Sequence, residues 1–422
     1  MKAKHALQTV GFTLVFLLTV TAFYTAQLST GLAQGSLTPP GPPAPTMKTL
    51  DQVEPRTPVS AATTPGDATA LYVISQPGSY YLTGNITGVV SKAGIRIGAT
   101  QVSLDLMGYA LVGVPGSLKG ITVAGGEGFS FRNGSILNWG DDGLFAGTDA
   151  LVESVNVSGN GNHGIRAGGK SRVVKCSASY QGSLGIFLSG NGHVSDCVAN
   201  DNSQGISVAD GSTVVDSSAF NNTVYGIHVG AGSVIKNCAT SYNSVGGILA
   251  GDHSVVSDTT ASLNPGSGIS VGDGCAVSRC TASQNGTGTL GGGILAGDKT
   301  ILSECVVVSN RNVGVYVGAD CVVTRNHVSH NGVGIAAPGI RVTGNDGRIE
   351  DNNARNNSGD GILVDATATG NLVVRNICGG NGLFQYRVPG IPGQPPAGAN
   401  IVGAIVNTAT NTAANAWANF QP

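Results

Sequence analysis

A four-residue phrase recurs along this chain at a nearly constant interval, and few folds tolerate that. The phrase is Gly, a branched apolar residue, any residue, then a small apolar residue. It reads GIRI at Gly94, GITV at Gly120, GLFA at Gly143, GIRA at Gly164 and GIFL at Gly185. It continues as GISV at Gly205, GIHV at Gly226, GILA at Gly247 and GISV at Gly268. It ends with GILA at Gly293, GVYV at Gly314, GIAA at Gly334 and GILV at Gly361. From Gly143 to Gly268 the spacing is 21 residues, with one step of 20.

Between these phrases lies a second one. VVKCSASYQ, VSDCVANDN, VVDSSAFNN, VSRCTASQN and LSECVVVSN align without gaps. Each repeat therefore carries two short β-type runs separated by turns. A period near 21 with β-branched runs and Gly/Asn turns predicts an all-β solenoid. The leucine and asparagine pattern of leucine-rich repeats is missing, and no long stretch keeps a helical 3.6 period. Residues at equal phase then stack about 4.8 Å apart, so thirteen glycine phrases build a rod on the order of 60 Å long.

Stacking turns the sequence into columns. Val155, Cys176, Cys197, Ser217, Cys238, Thr259, Cys280, Cys305, Asn326, Asn352 and Asn376 form an inward column of small residues, as a narrow packed interior needs. Five of the eight cysteines fall there as small hydrophobes. There is no CxxC pair, and bridges between adjacent rungs, such as Cys176 to Cys197, stay open on distance grounds. Asn160, Asn202, Asn222, Asn243, Asn264, Asn285, Asn310, Asn331, Asn357 and Asn381 form an asparagine ladder, each amide bonding to the next. Arg279, Glu304, Arg325, Asp351 and Arg375 form an outward column of alternating charge.

The flanks differ in composition. Lys2, Lys4 and His5 precede an uncharged apolar stretch from Ala6 to Ala26, with small residues at Gly31-Leu32-Ala33. Residues 1–33 read as a secretory signal peptide, with an uncleaved anchor as the alternative. The protein is then expected outside the cytoplasm, in the periplasm or at the cell surface, without a membrane span after cleavage. Residues 34–68, rich in Pro and Thr, read as a stiff linker. Residues 69–93 read as an N-terminal cap, 94–382 as the solenoid, and 383–422 as a loop and cap in which Trp417 and Phe420 cover the last rung. The formal net charge is −2 and no basic run occurs, which argues against nucleic acid as a partner.

The glycine phrase, the second phrase and the asparagine ladder, over about residues 90–382, resemble the right-handed parallel β-helix repeat of the pectin-lyase-like superfamily. Handedness comes from that resemblance. The motifs specify fold rather than function; a polysaccharide or cell-surface glycan is the expected partner on the outward residues described next.

Two outward columns carry candidate chemistry. The middle residues of the glycine phrases run Phe145, Arg166, Phe187, Ser207, His228, Leu249, Ser270, Leu295 and Tyr316. Aromatic rings and a cation on a flat strip suit sugar rings, which present apolar faces and hydroxyls. The residues just before the glycine run Lys119, Asp142 and His163 on three successive rungs. A carboxylate between a lysine and an imidazole stays ionised. Lys119, Phe145, Arg166, Phe187 and His228 are the candidate substrate contacts, and Asp141, Asp142 and His163 the candidate catalytic residues.

The local pattern is similar to polygalacturonases of the same superfamily. Asp141-Asp142 matches that family's Asp pair, and His163-Gly164 its Gly-His-Gly, with Asn162 in place of the first glycine. The resemblance implies a catalytic acid and a water-activating base among the Asp residues, with His163 assisting. The chain departs where Lys119 replaces a further Asp and GIFL replaces an Arg-Ile-Lys group. Pectate lyases of this fold use calcium-bound carboxylates. Asp252, Asp273 and Asp298 share one phase on consecutive rungs and are candidate Ca²⁺ ligands, although each also sits in a tight Gly turn. Two expectations result: a scaffold or polysaccharide-binding surface, and alternatively a polysaccharide hydrolase, lyase or epimerase.

Overall fold

The protein is described here by a computed structural model covering residues 56–287, 291–389, 400–407 and 417–421. The signal-peptide reading and the first part of the linker lie outside these residues. The described chain winds into a β-solenoid without any helix, and every ladder between its strands is parallel. One fifteen-stranded sheet carries the glycine phrases. Their burial alternates buried, half-buried, buried, as in Ile165–Ala167, so Ile and Ala enter the core and Arg166 faces out.

From Ile165 to Gly379 each coil holds three strands, one more than the two runs visible in the sequence. Leu184–Leu188 is followed by His193–Ser195 and Val198–Asn200. They pair with the preceding coil as Ile165↔Ile186, Val173↔Val194 and Ala178↔Ala199. What splits the second run is a corner residue in the left-handed region, Lys175 at φ 54° and Asp196 at φ 54°. Arg279, Glu304, Arg325, Asp351 and Arg375 occupy the same corner, all with φ of 52–57°. Left-handed backbone is uncommon for such residues and persists where the surroundings over-determine it. Here the next residue supplies the determinant by turning inward to accept a main-chain hydrogen bond from the rung before. Cys197 N donates to Ser217 Oγ at 3.1 Å, and Cys238 N to Thr259 Oγ1 at 3.2 Å. The inward column thus bonds as well as packs. All eight cysteines are buried and free.

The asparagine ladder is continuous, with Gln181 filling the step between Asn160 and Asn202. Asn222 donates its main-chain N–H and its Nδ2 to Asn243 Oδ1 at 3.0 and 2.9 Å, and Asn243 does the same to Asn264 at 2.9 and 3.1 Å. This ladder explains the glycine phrase. A Cβ on Gly226 would lie 2.6 Å from Asn243 Nδ2. The amide occupies the space a side chain would need, so the two columns form one device.

The charged corner column pairs along the rod: Arg325 bonds Glu304 at 3.2 Å, and Arg375 holds Asp351 at 2.8 and 3.0 Å. Arg279 turns to Asp258 on the preceding rung instead of Glu304, at 2.7 and 2.9 Å.

Register differs from expectation at one phrase. GIAA at Gly334 is not a rung. The ladder uses GIRV at Gly339, with Ile340 paired to Val315 and fully buried, while Ile335 is 44% exposed. The two phrases lie five residues apart, and Asn357 of the ladder packs against Gly339. Residues 332–338 form an insertion.

The ladder also reaches beyond the expected ends. Ala70–Ile74 pairs in register with Ala93–Ile97, inside the segment read as a cap. Thr57–Pro58 pairs with Tyr80–Tyr81 and Val59 is buried, so the end of the linker segment is packed. At the other end Asn419 continues the inner asparagine bonding from Asn376, and Phe420 pairs with Ile377. Trp417 and Phe420 are 53% and 39% exposed. The loop VPGIPGQPPAGAN falls mostly outside the described residues.

Candidate active site

The parallel register brings residues 21–23 positions apart into contact. Leu144–Phe145 pairs with Ile121–Thr122 on one side and with Ile165–Arg166 on the other. Main-chain bonds from Gly120 N to Asp142 O and from Gly143 N to His163 O set the preceding residues in a column. Lys119, Asp142 and His163 therefore stack on three adjacent rungs, as the phrase alignment requires. Beneath them Trp139 fills the core, fully buried, with Nε1 donating to Leu111 O at 3.2 Å.

Asp142 is the centre of this cluster and is fully buried. Its Oδ1 accepts from the His163 main-chain N at 3.2 Å and lies 2.9 Å from His163 Nδ1. Its Oδ2 accepts from Lys119 Nζ, and Arg166 Nη1 stands 4.0 Å away. Burial alone pushes this carboxyl upward; the hydrogen bonds from His163 and Lys119 outweigh it and hold the group down at about 2. Asp142 is thus a permanent anion near neutral pH, with both oxygens engaged.

Asp141 has a different environment. Its side chain is 40% exposed, pairs with Lys119 Nζ at 3.0 Å and accepts from Asn162 Nδ2 at 3.1 Å. Asn162 thereby helps to position Asp141. Lys119 clamps both carboxylates.

The aromatic residues brace the cations. Arg166 lies 5.2 Å and Lys119 5.6 Å from the Phe145 ring centre. His163 and Phe187 rings are 5.8 Å apart. The rings therefore have one side already occupied, which the sequence did not reveal. His228 lies two rungs beyond Phe187, through Ser207, and sits against Tyr225 at 6.1 Å. Burial lowers its pKa. It shares the strip but not the cluster.

The carboxylate ladder has a structural job. Asp252 Oδ1 accepts from Asp273 N at 2.9 Å, Asp273 Oδ1 from Asp298 N at 2.8 Å, and Asp298 Oδ1 from Ala319 N at 2.7 Å. Asp210 does the same for Ala231 N at 2.8 Å. These are turn caps in the sense of Asx bonding between rungs. Among the described residues no group of three or more His, Cys, Asp or Glu is placed to hold a metal ion.

One column escaped the sequence reading altogether. Ser212 N donates to Ser233 Oγ at 3.1 Å, Ser233 N to Ser254 Oγ at 3.2 Å, and Ser254 N to Cys275 Sγ at 3.3 Å. It accounts for Cys275, and its signal was a phase-locked serine in GS and HS pairs.

The profile of the family described as "Right handed beta helix region" matches residues 116–234 and 226–378. The chain belongs to that family, and the fold is a right-handed β-helix. No curated protein matches it. Among solved structures, it is similar to the A-module of the mannuronan C-5 epimerase AlgE6 of Azotobacter vinelandii. Identity is 14%, with 77% of this chain and 90% of that one covered and a TM-score of 0.36. It is also similar to the pectate lyase Pel9A, at 17% identity, 63% and 72% coverage and a TM-score of 0.32. The periplasmic alginate epimerase AlgG matches at 10% identity, 75% and 81% coverage and a TM-score of 0.36. These likenesses are of coil architecture alone. Among the described residues, no helix is long and apolar enough to cross a membrane.

Proposed function

We propose that this protein is a carbohydrate-active enzyme that abstracts the proton next to the carboxylate of a uronate-containing polysaccharide, as a lyase or an epimerase. The observation that carries this reading is the Asp142–His163 contact. A buried, permanently ionised carboxylate holds Nδ1 of an imidazole, which fixes the tautomer that leaves Nε2 as the basic nitrogen. Nε2 then takes the proton α to the sugar carboxylate. Arg166, 43% exposed and braced on Phe145, meets that carboxylate and stabilises the charge that develops on it. Delivery of a proton from water to the opposite face, with loss of the Nε2 proton to solvent, gives the epimer. Expulsion of the C-4 oxygen, which takes up a proton from water, gives an unsaturated end. The names of two structures compared above make them epimerases, and of one a lyase; the case for this chain rests on its own side chains.

Hydrolysis fits the site poorly. It needs two carboxyl groups free to act as acid and base on either side of the bond. Asp142 has neither a free oxygen nor an accessible proton, so Asp141 stands alone. The scaffold or binding-surface reading uses the same strip without turnover. We place the protein outside the cytoplasm on the strength of its N-terminal sequence. The test is a panel of polyuronides assayed for unsaturated ends, epimerised residues and new reducing ends. Binding without any product returns the protein to the scaffold reading.

A further inference from the structure

The repeat is interrupted twice at one corner. Between the ladder asparagine and the next phrase glycine, most coils have three residues, as in Asn264 to Gly268 and Asn310 to Gly314. Asn285 to Gly293 and Asn331 to Gly339 each have seven. The longer corners fall on either side of a single ordinary coil, the one carrying Val315–Val317. Beside the second of them the outer strip sinks into a cleft of about 460 Å³.

The floor of the cleft is the next part of the outward column, Leu295, Tyr316 and Arg341, paired in register. One wall contains Ile335 and Pro338 from the second insertion. The Arg341 guanidinium lies 5.9 Å from the Tyr316 ring centre. It is held by Asp365 in a two-point pair, Nε to Oδ1 at 3.1 Å and Nη2 to Oδ2 at 2.9 Å. The cation is therefore matched, and the cleft offers no net charge from this pair. Val333 and Ile335 on the insertion are large apolar side chains that stay 52% and 44% exposed.

We infer that this cleft is a second glycan site, separate from the Asp142–His163 cluster, and that it takes a neutral pyranose residue of a polysaccharide. An aromatic ring with aliphatic neighbours fits the apolar face of a sugar. A neutralised Arg–Asp pair presents donors and acceptors together, as hydroxyls require, and gives a uronate no unmatched cation to bind. Tyr316 lies seven rungs from Arg166, roughly 34 Å at 4.8 Å per rung, too far to contact the same sugar. The inference shares the outer strip with the reading above but does not need His163 to be catalytic.

Affinity electrophoresis of the whole chain through galactomannan, xyloglucan, mixed-linkage β-glucan, dextran and polygalacturonate tests it. The expected result is retardation by at least one neutral polymer, weakened on the order of tenfold by Tyr316→Ala and retained by His163→Ala. Ile335→Asp, on the exposed wall, should also weaken it and guards against misfolding of the Tyr316 variant. Retardation by polygalacturonate should not change with Tyr316→Ala. Two results overturn the inference: no neutral polymer retards the chain, or retardation is unchanged in both cleft variants. A third is a wild-type dimer in sedimentation that Tyr316→Ala dissociates, which would make a second copy the occupant.

Discussion

The Asp142 carboxylate lies 2.9 Å from His163 Nδ1, although the residues are 21 positions apart and only one coil separates them. Asp142 is sealed from solvent, while His163 keeps 17% of its side chain exposed. One partner is thus a fixed anion and the other a group at the surface that it orients. Lys119 completes the arrangement from the opposite rung.

Asp142 should couple stability to acid pH. Its folded pKa, about 2, lies below the ordinary carboxyl value of 3.8. A depressed pKa contributes stability that is present above about pH 4 and lost as the pH falls through about 2. The shift corresponds to about 2 kcal/mol. Denaturant midpoints measured from pH 5 down to pH 2 should fall for the wild type. Asp142→Asn should be less stable at pH 5 and show a flatter pH dependence.

The asparagine ladder should be costly to interrupt. Asn243→Ala leaves the Asn222 main-chain N–H and the Ala219 carbonyl without the partners they have at 3.0 and 3.1 Å. Two buried unsatisfied groups cost about 3 kcal/mol or more. Chemical denaturation should show that loss, whereas Asn237→Ala, at an exposed corner, should change stability by less than about 1 kcal/mol.

Register at the second insertion separates two near-identical phrases. Ile340 is fully buried and Ile335 is exposed. Ile340→Ala should cost about 3 kcal/mol and Ile335→Ala less than about 0.5 kcal/mol. The reverse order would mean that GIAA forms the rung.

All eight thiols should be silent in the native state. A thiol reagent should label none of them in buffer and eight after unfolding, since each is free and buried. Cys238→Ser should cost no more than about 1 kcal/mol, because Ser217 already serves in that column, donating to Val215 O at 2.7 Å.

Much of this was legible in the residues, for a physical reason. A solenoid converts sequence period directly into spatial columns, so the asparagine ladder and the Lys119, Asp142, His163 stack could be read by alignment. The corner between the second and third strands could not. Its left-handed residues include Lys175 and Arg279, which carry no turn signature, and the cause lies in the inward bond of the following residue. The choice between Gly334 and Gly339 was invisible because both phrases have the right pattern, and packing against Asn357 settles it. At the site, the column predicted an ionised Asp142. It did not predict that Lys119 would hold both carboxylates or that Phe145 and Phe187 would brace Arg166 and His163.

The most direct test of the central claim is incubation of uronate polymers with the protein in D₂O, followed by NMR of the polymer. Wild type should place deuterium at C-5 or generate unsaturated ends, and His163→Ala should reduce either signal by at least about a hundredfold. New reducing ends with neither deuterium nor unsaturation, or activity untouched in His163→Ala, would contradict the account.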